Sequence, residues 1–217
     1  MQSRTRYLVN LGLFSALAYV LMVVGRVPVV LFLKYDPKDV IILIGGLIYG
    51  PMAAFLISVV VSLVEMITVS DTAWIGFVMN VLSSCSFACT AAFIYKKNQR
   101  IRGAVIGLIS GGALSVAIMI LWNYLLTPIY MGVPRAMVAA LLLPAILPFN
   151  LLKVGLNGAI TMLIYKPIVR ALRNANLVPS STSAYSPDAK KPVGALIVSA
   201  AVLITCILSA LVLKGVI

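Results

Sequence analysis

Residues 148–157 read Pro148-Phe149-Asn150-Leu151-Leu152-Lys153-Val154-Gly155-Leu156-Asn157, which puts an amide, an ammonium and a second amide into the opening turns of an apolar segment. Read as a helix, Asn150, Lys153 and Asn157 recur at i, i+3 and i+7 and share one face. A charge at membrane depth costs at least about 2.5 kcal/mol even on lenient insertion scales, so an intramembrane lysine is read first as a group facing a cavity or a partner. Lys153 is therefore the most informative residue of the chain. The competing reading is a lysine that snorkels to the interface from the start of its helix.

Composition fixes the solvent into which that lysine is carried. Of 217 residues, 62% are hydrophobic and 10% charged, and the mean hydropathy is +1.12. Such a chain needs lipid around most of its surface. Its length allows about six or seven helices of about 20 residues with short loops, which makes it an all-α integral membrane protein without an added soluble domain. The net charge of +12 would point to nucleic acid in a soluble protein; here the Lys and Arg residues fall in short loops and set orientation. Cys85, Cys89 and Cys206 lie inside apolar segments and read as small hydrophobes, not as a disulfide framework. The absence of histidine and of any His/Cys/carboxylate cluster removes most metal sites and most Ser-His or Cys-His catalysis, so an enzyme is not expected. The first apolar run, Leu8 to Val27, is too long for the core of a cleavable signal and reads as the first spanning helix.

That helix carries Gly12 and Ala16 one turn apart, a small face suited either to docking another helix or to packing inside the bundle. Gly25-Arg26-Val27-Pro28 ends it, and the loop through Lys34, Tyr35 and Asp36 is a candidate lid. A short helix over Val40 to Tyr49, with a Gly45-Gly46 pair, stops at the Gly50-Pro51 turn. The third helix, about Met52 to Val69, bears Ser58, Ser62 and Glu65 on one face, and Glu65 is either a ligand contact or a cation's partner. Asp71 is placed to cap the fourth helix, Thr72 to Tyr95, on which Asn80, Ser83 and Ser84 share a face. After Lys96-Lys97-Asn98-Gln99-Arg100-Ile101-Arg102, the fifth helix presents Gly103, Gly107 and Gly111 and is expected to end at Trp122-Asn123-Tyr124, an amide between two aromatics. Ala136 to Pro148 reads as a re-entrant or interfacial piece, and Phe149 to Tyr165 as the sixth spanning helix. The division is then 1–173 as a six-helix membrane domain, 174–193 as a polar linker and 194–217 as an additional transmembrane helix.

With the N-terminus inside, Arg4, Arg6, the 96–102 loop, Lys166, Arg170 and Arg173 all fall on the inner side. The unusual polar groups then converge outside: the Lys34 loop, Glu65, the Trp122-Asn123-Tyr124 segment and the Asn150-Lys153 helix start. One outward pocket of amides, aromatics and a buried cation accounts for them.

Several of these pieces have a family look. The Lys-Tyr-Asp segment at 34–36 followed by Asp39-Val40, the Tyr-Gly-Pro turn at 49–51, Trp-Asn-Tyr-Leu-Leu-Thr-Pro-Ile-Tyr-Met-Gly at 122–132 and Pro-Phe-Asn-Leu-Leu-Lys at 148–153 resemble the riboflavin-specific substrate-binding (S) components of energy-coupling factor transporters. The resemblance covers about residues 5–173. It implies a vitamin pocket at Asn123, Asn150 and Lys153, a lid at Lys34, Tyr35 and Asp36, and docking of the coupling subunit on Gly12 and Ala16. Riboflavin would be the transported ligand and not a cofactor. Its ring would lie on Trp122 and Tyr124, with Glu65 accepting from a hydroxyl, and Asn80 is either a further ligand contact or a helix-to-helix hydrogen-bonding group. The implied partners are a transmembrane coupling subunit and two ATPase subunits in a bacterial cytoplasmic membrane, since this chain has no GxxxxGK[ST] phosphate loop of its own. The linker and seventh helix depart from the usual six-helix plan, and Gly12 stands where an alanine is more typical. An S component for another vitamin, or a secondary transporter driven by protons through Glu65, are the alternatives.

Overall fold

The apolar runs, punctuated by glycine and proline, fold into helices joined by short turns. The computed structural model describes residues 4–30, 33–70, 72–174 and 193–213. In chain order these form α1 (Arg4–Gly25), a hairpin of β1 (Val27–Val30) and β2 (Leu33–Tyr35), α2 (Lys38–Tyr49), α3 (Pro51–Thr68), α4 (Ala73–Lys97), α5 (Ile101–Met131), α6 (Arg135–Leu141), a π-helical turn (Leu142–Ile146), α7 (Leu147–Asn174) and α8 (Val193–Leu213). Five stretches are long and apolar enough to cross a membrane: α1, α3, α4, α5 and the continuous helical run Arg135–Leu172. With α2 in their midst they make the expected six-helix bundle, and α8, whose apolar part is Leu196–Val212, is the added helix. Asp71 and most of the linker lie outside the described residues.

Short α2 is the axis of the bundle. Every residue from Lys38 to Leu47 is buried, and its neighbours are α1, α3, α4 and α7. Glycine makes this fit possible: a Cβ on Gly46 would stand 2.9 Å from the Ala54 Cβ and 3.2 Å from that of Ala92. The Gly50-Pro51 signal folds as read, with Gly50 at φ 96 and Pro51 as the first residue of α3. The doubled glycine pattern of α5 meets α4, because a Cβ on Gly107 would fall 2.7 Å from the Ala91 carbonyl oxygen and one on Gly111 2.4 Å from that of Phe87. Gly12 and Ala16, by contrast, face away from the bundle, and a Cβ on Gly12 would meet nothing within 4 Å. Packing inside the bundle is thus not what keeps this face small.

Three local expectations change. The loop after α1 contains an antiparallel hairpin, in which Val27 pairs with Tyr35 and Pro28 with Lys34. Helix α5 does not stop at Trp122-Asn123-Tyr124; it runs through Pro128 to Met131 and ends on Gly132 in the left-handed region, whose N–H bonds to the Pro128 carbonyl. Residues 136–148 are not re-entrant either. Pro144 and Pro148 remove two ladder donors, and instead of breaking, the helix widens into the π turn, where the Leu147 N–H reaches the Leu142 carbonyl five residues back. Beyond the bundle, α8 lies along α7, where a Cβ on Gly155 would come 2.8 Å from Cys206 Sγ, and it touches β1.

Candidate ligand site

Helix order alone brings the polar residues to one end. α1 leads into the hairpin there, α2 starts there, α3 finishes there, α4 starts there, α5 finishes there and α7 starts there. Between these ends is a cavity of ≈ 370 Å³, within the range typical of small-molecule sites. The hairpin region contributes Arg26, Leu33, Lys34 and Asp36; α3 contributes Glu65; α4 Met79, Asn80 and Ser83; α5 Met119, Asn123 and Tyr130; and α7 Phe149, Asn150 and Lys153. Of the residues singled out from sequence, Asn123, Asn150, Lys153, Glu65, Asn80, Lys34 and Asp36 line it.

Trp122 and Tyr124 do not. Because α5 continues as a helix, the residues on either side of Asn123 are rotated about 100° away from it, and they cannot share its face. Tyr124 is instead exposed beneath the Arg135 guanidinium, 5.6 Å from the ring centroid, and the buried Trp122 Nε1 has no hydrogen-bond partner among the described residues. The aromatics that line the cavity are Tyr130, two turns beyond Asn123 on its own face, and Phe149, next to Asn150. Tyr35 is also off the wall: its hydroxyl donates to Asn157 Oδ1 at 2.9 Å.

The amides are partly committed to their own helices. Asn123 Nδ2 donates to the Met119 carbonyl at 2.8 Å, and its Oδ1 accepts from Thr127 Oγ1 at 2.9 Å. Asn150 Nδ2 donates to the Ile146 carbonyl at 2.8 Å, a group offered by the π turn. The Asn80 amide and the Asn150 Oδ1 have no hydrogen-bond partner among the described residues, and neither does the buried Asp36 Oδ1.

In the cavity wall and just behind it the charges are paired. Glu65, 1% exposed, takes the Arg26 guanidinium on one oxygen at 3.3 Å and the Lys38 ammonium on the other. Lys38 also stands 4.0 Å from Asp36, and Lys153 bridges Asp36 at 3.7 Å and Asp39 at 3.5 Å. Ser84 Oγ and Asn157 Nδ2 donate to the Asp39 carboxylate. Charges this deep persist only when paired and hydrogen-bonded, and here three acids meet three cations. On the hairpin side, burial pushes the Tyr35 hydroxyl above its ordinary range, with the Asp36 carboxylate adding to the shift, so it stays a neutral donor. Burial opposes ionisation of Asp36, but the Lys153 and Lys38 ammoniums outweigh it and hold the carboxyl below the usual carboxylate value.

Sequence reading missed Arg26, Lys38, Asp39, Tyr130 and Phe149. One signal was available: Asp36, Lys38 and Asp39 put three charges within four residues at the start of an apolar helix.

The sequence model of the family described as ECF transporter, substrate-specific component, matches residues 6–165. The chain belongs to that family. Among curated relatives, this S component is 29% identical to the riboflavin transporter FmnP of Bacillus subtilis (strain 168), over 80% of this chain and 99% of that protein. It is 27% identical to the riboflavin transporter RibU of Staphylococcus aureus (strain TCH60), over 80% of this chain and 95% of the relative. Its fold matches a solved S component of a bacterial ECF transporter with a TM-score of 0.67 at 25% identity, covering 79% of this chain and 99% of that one. Membership assigns the S component to membrane transport and not to an enzyme family. The matched region ends before α8 begins.

Proposed function

We propose that the chain is the riboflavin-binding subunit of an ECF-type importer, with its cavity opening to the outside of the cell membrane and its N-terminus in the cytoplasm. The observation that carries the reading is the set of polar atoms around the cavity that no described residue engages, which a ligand could take up, the buried Asp36 Oδ1 among them. The Asn80 amide and the Asn150 Oδ1 offer donors and an acceptor to the edge of a flat ring, Tyr130 and Phe149 offer apolar faces, and Asp36 Oδ1 offers an acceptor for a chain hydroxyl. Lys153 donates only, so it would serve a ring carbonyl or a ribityl oxygen. The names of the two relatives support riboflavin as the ligand. The cations support this orientation: Arg4 and Arg6, Lys96 to Arg102, Lys166 and Arg170 cluster at the end opposite the cavity.

In this reading the exposed small face at Gly12 and Ala16 docks a transmembrane coupling subunit, and separate ATPase subunits supply the energy. A proton-driven secondary transporter through Glu65 is less well supported, since both oxygens of that carboxylate are held by cations. Titrating riboflavin into the detergent-purified full-length chain tests the assignment. Flavin fluorescence is expected to quench at about one vitamin per chain; absence of quenching together with tight binding of thiamine would replace riboflavin with another vitamin.

A further inference from the structure

Asp39 is not part of the cavity wall, yet donors from two helices and the ammonium of Lys153 converge on it. Ser84 Oγ donates to Oδ1, Asn157 Nδ2 donates to Oδ2 at 3.4 Å, and Lys153 Nζ lies 3.5 Å from that same Oδ2. The residue is 2% exposed and sits in the wholly buried first turn of α2. Asp36, the other carboxylate beside Lys153, lies in the cavity wall and belongs to the segment that joins the hairpin to α2.

The two acids differ in what an incoming ligand does to them. A ligand oxygen that accepts from Lys153 competes with Asp36, which shares the cavity, and leaves untouched Asp39, which does not. An ammonium stripped of both carboxylates would be an uncompensated buried charge, whose cost exceeds what one hydrogen bond to a ligand returns. We infer that Asp39 is a positioning residue for Lys153: it fixes the ammonium at the cavity wall and remains its counter-charge when a ligand displaces Asp36. Lys153 touches the ligand; Asp39 acts through Lys153. This deepens the riboflavin reading and rests on it.

The test compares four full-length proteins in detergent: the natural chain, Asp39→Asn, Lys153→Met and the double variant. Each is titrated with riboflavin by fluorescence and unfolded thermally without ligand. Asp39→Asn is expected to weaken binding about tenfold or more, while the double variant binds no more weakly than Lys153→Met alone. In the ligand-free scans, Lys153→Met leaves Asp39 without its ammonium, so adding Asp39→Asn raises the unfolding temperature in that background and lowers it in the natural one. A carboxylate that serves only the fold gives equal losses in both backgrounds, and that result would overturn the inference. Should Asp39→Asn not fold, Ser84→Ala removes one donor to Asp39 without changing charge; a loss of affinity that vanishes in the Lys153→Met background supports the inference, and equal losses overturn it. If the natural chain fails to quench riboflavin, the functional reading falls. The ligand-free cycle still decides whether Asp39 holds Lys153, because additive shifts there would show that it does not.

Discussion

At the scale of single residues, the aromatic partners of the cavity give a sharp contrast. Tyr130 and Phe149 line it, whereas Tyr124 lies outside with Arg135 over its ring. Replacing Tyr130 with Leu is expected to weaken riboflavin binding by roughly the value of an aromatic contact, about 0.5–1.5 kcal/mol or two- to tenfold, while Tyr124→Leu leaves the dissociation constant unchanged. Fluorescence titration of both variants checks this, and equal losses would mean that the ligand lies elsewhere. Lys153, Asn150 and Asn123 were legible in the sequence because a polar residue inside an apolar helix is expensive and stands out. The flanking aromatics were misread for a different reason. Trp122-Asn123-Tyr124 looks like an interfacial terminus, and only the continuation of α5 through Pro128 fixes which aromatics share the face of Asn123. Lys38 and Asp39 were hidden because charges at the start of a helix look solvated until the four neighbouring helices are seen to bury them.

At the scale of elements, the exposed small face of α1 is separated from the cavity, whose wall draws nothing from α1 itself. Substituting Gly12 or Ala16 with Leu is therefore expected to leave riboflavin affinity intact and to reduce uptake severalfold in proteoliposomes that also contain the coupling and ATPase subunits, as side-chain bulk prevents close helix approach. Parallel loss of binding and uptake would place the face in internal packing. Most elements were legible from apolar period and from Gly and Pro signals; the turn at Gly50-Pro51 folded as read, and the glycine pattern of α5, whose partner helix was not legible, meets α4. The stretch around Pro144 and Pro148 was not, since two prolines four apart ordinarily end a helix and the π alternative depends on neighbours that sequence does not reveal. The hairpin was also missed: paired runs of four and three residues with a register irregularity carry almost no periodic signal.

At the scale of the whole molecule, α8 stands outside both the family match and the cavity wall. Deleting residues 174–217 is expected to keep the riboflavin dissociation constant within about twofold, because surface away from a site couples to it only weakly; loss of binding in a folded truncation would make α8 part of the site. The six-helix plan was legible in composition and spacing, but where α8 would pack was not, because its sequence is apolar on all sides. The bundle's helices also differ greatly in reach. α3 has 18 residues and α5 has 31, about 27 and 46 Å at 1.5 Å per residue. A hydrocarbon slab of about 30 Å fits the first and is exceeded by the second, so α5 either crosses at a slant or carries its end turns beyond the hydrocarbon, while α3 has no length to spare. Acyl-chain length thereby becomes a variable of the protein's own energetics, and membranes of different thickness will hold it at different tilts.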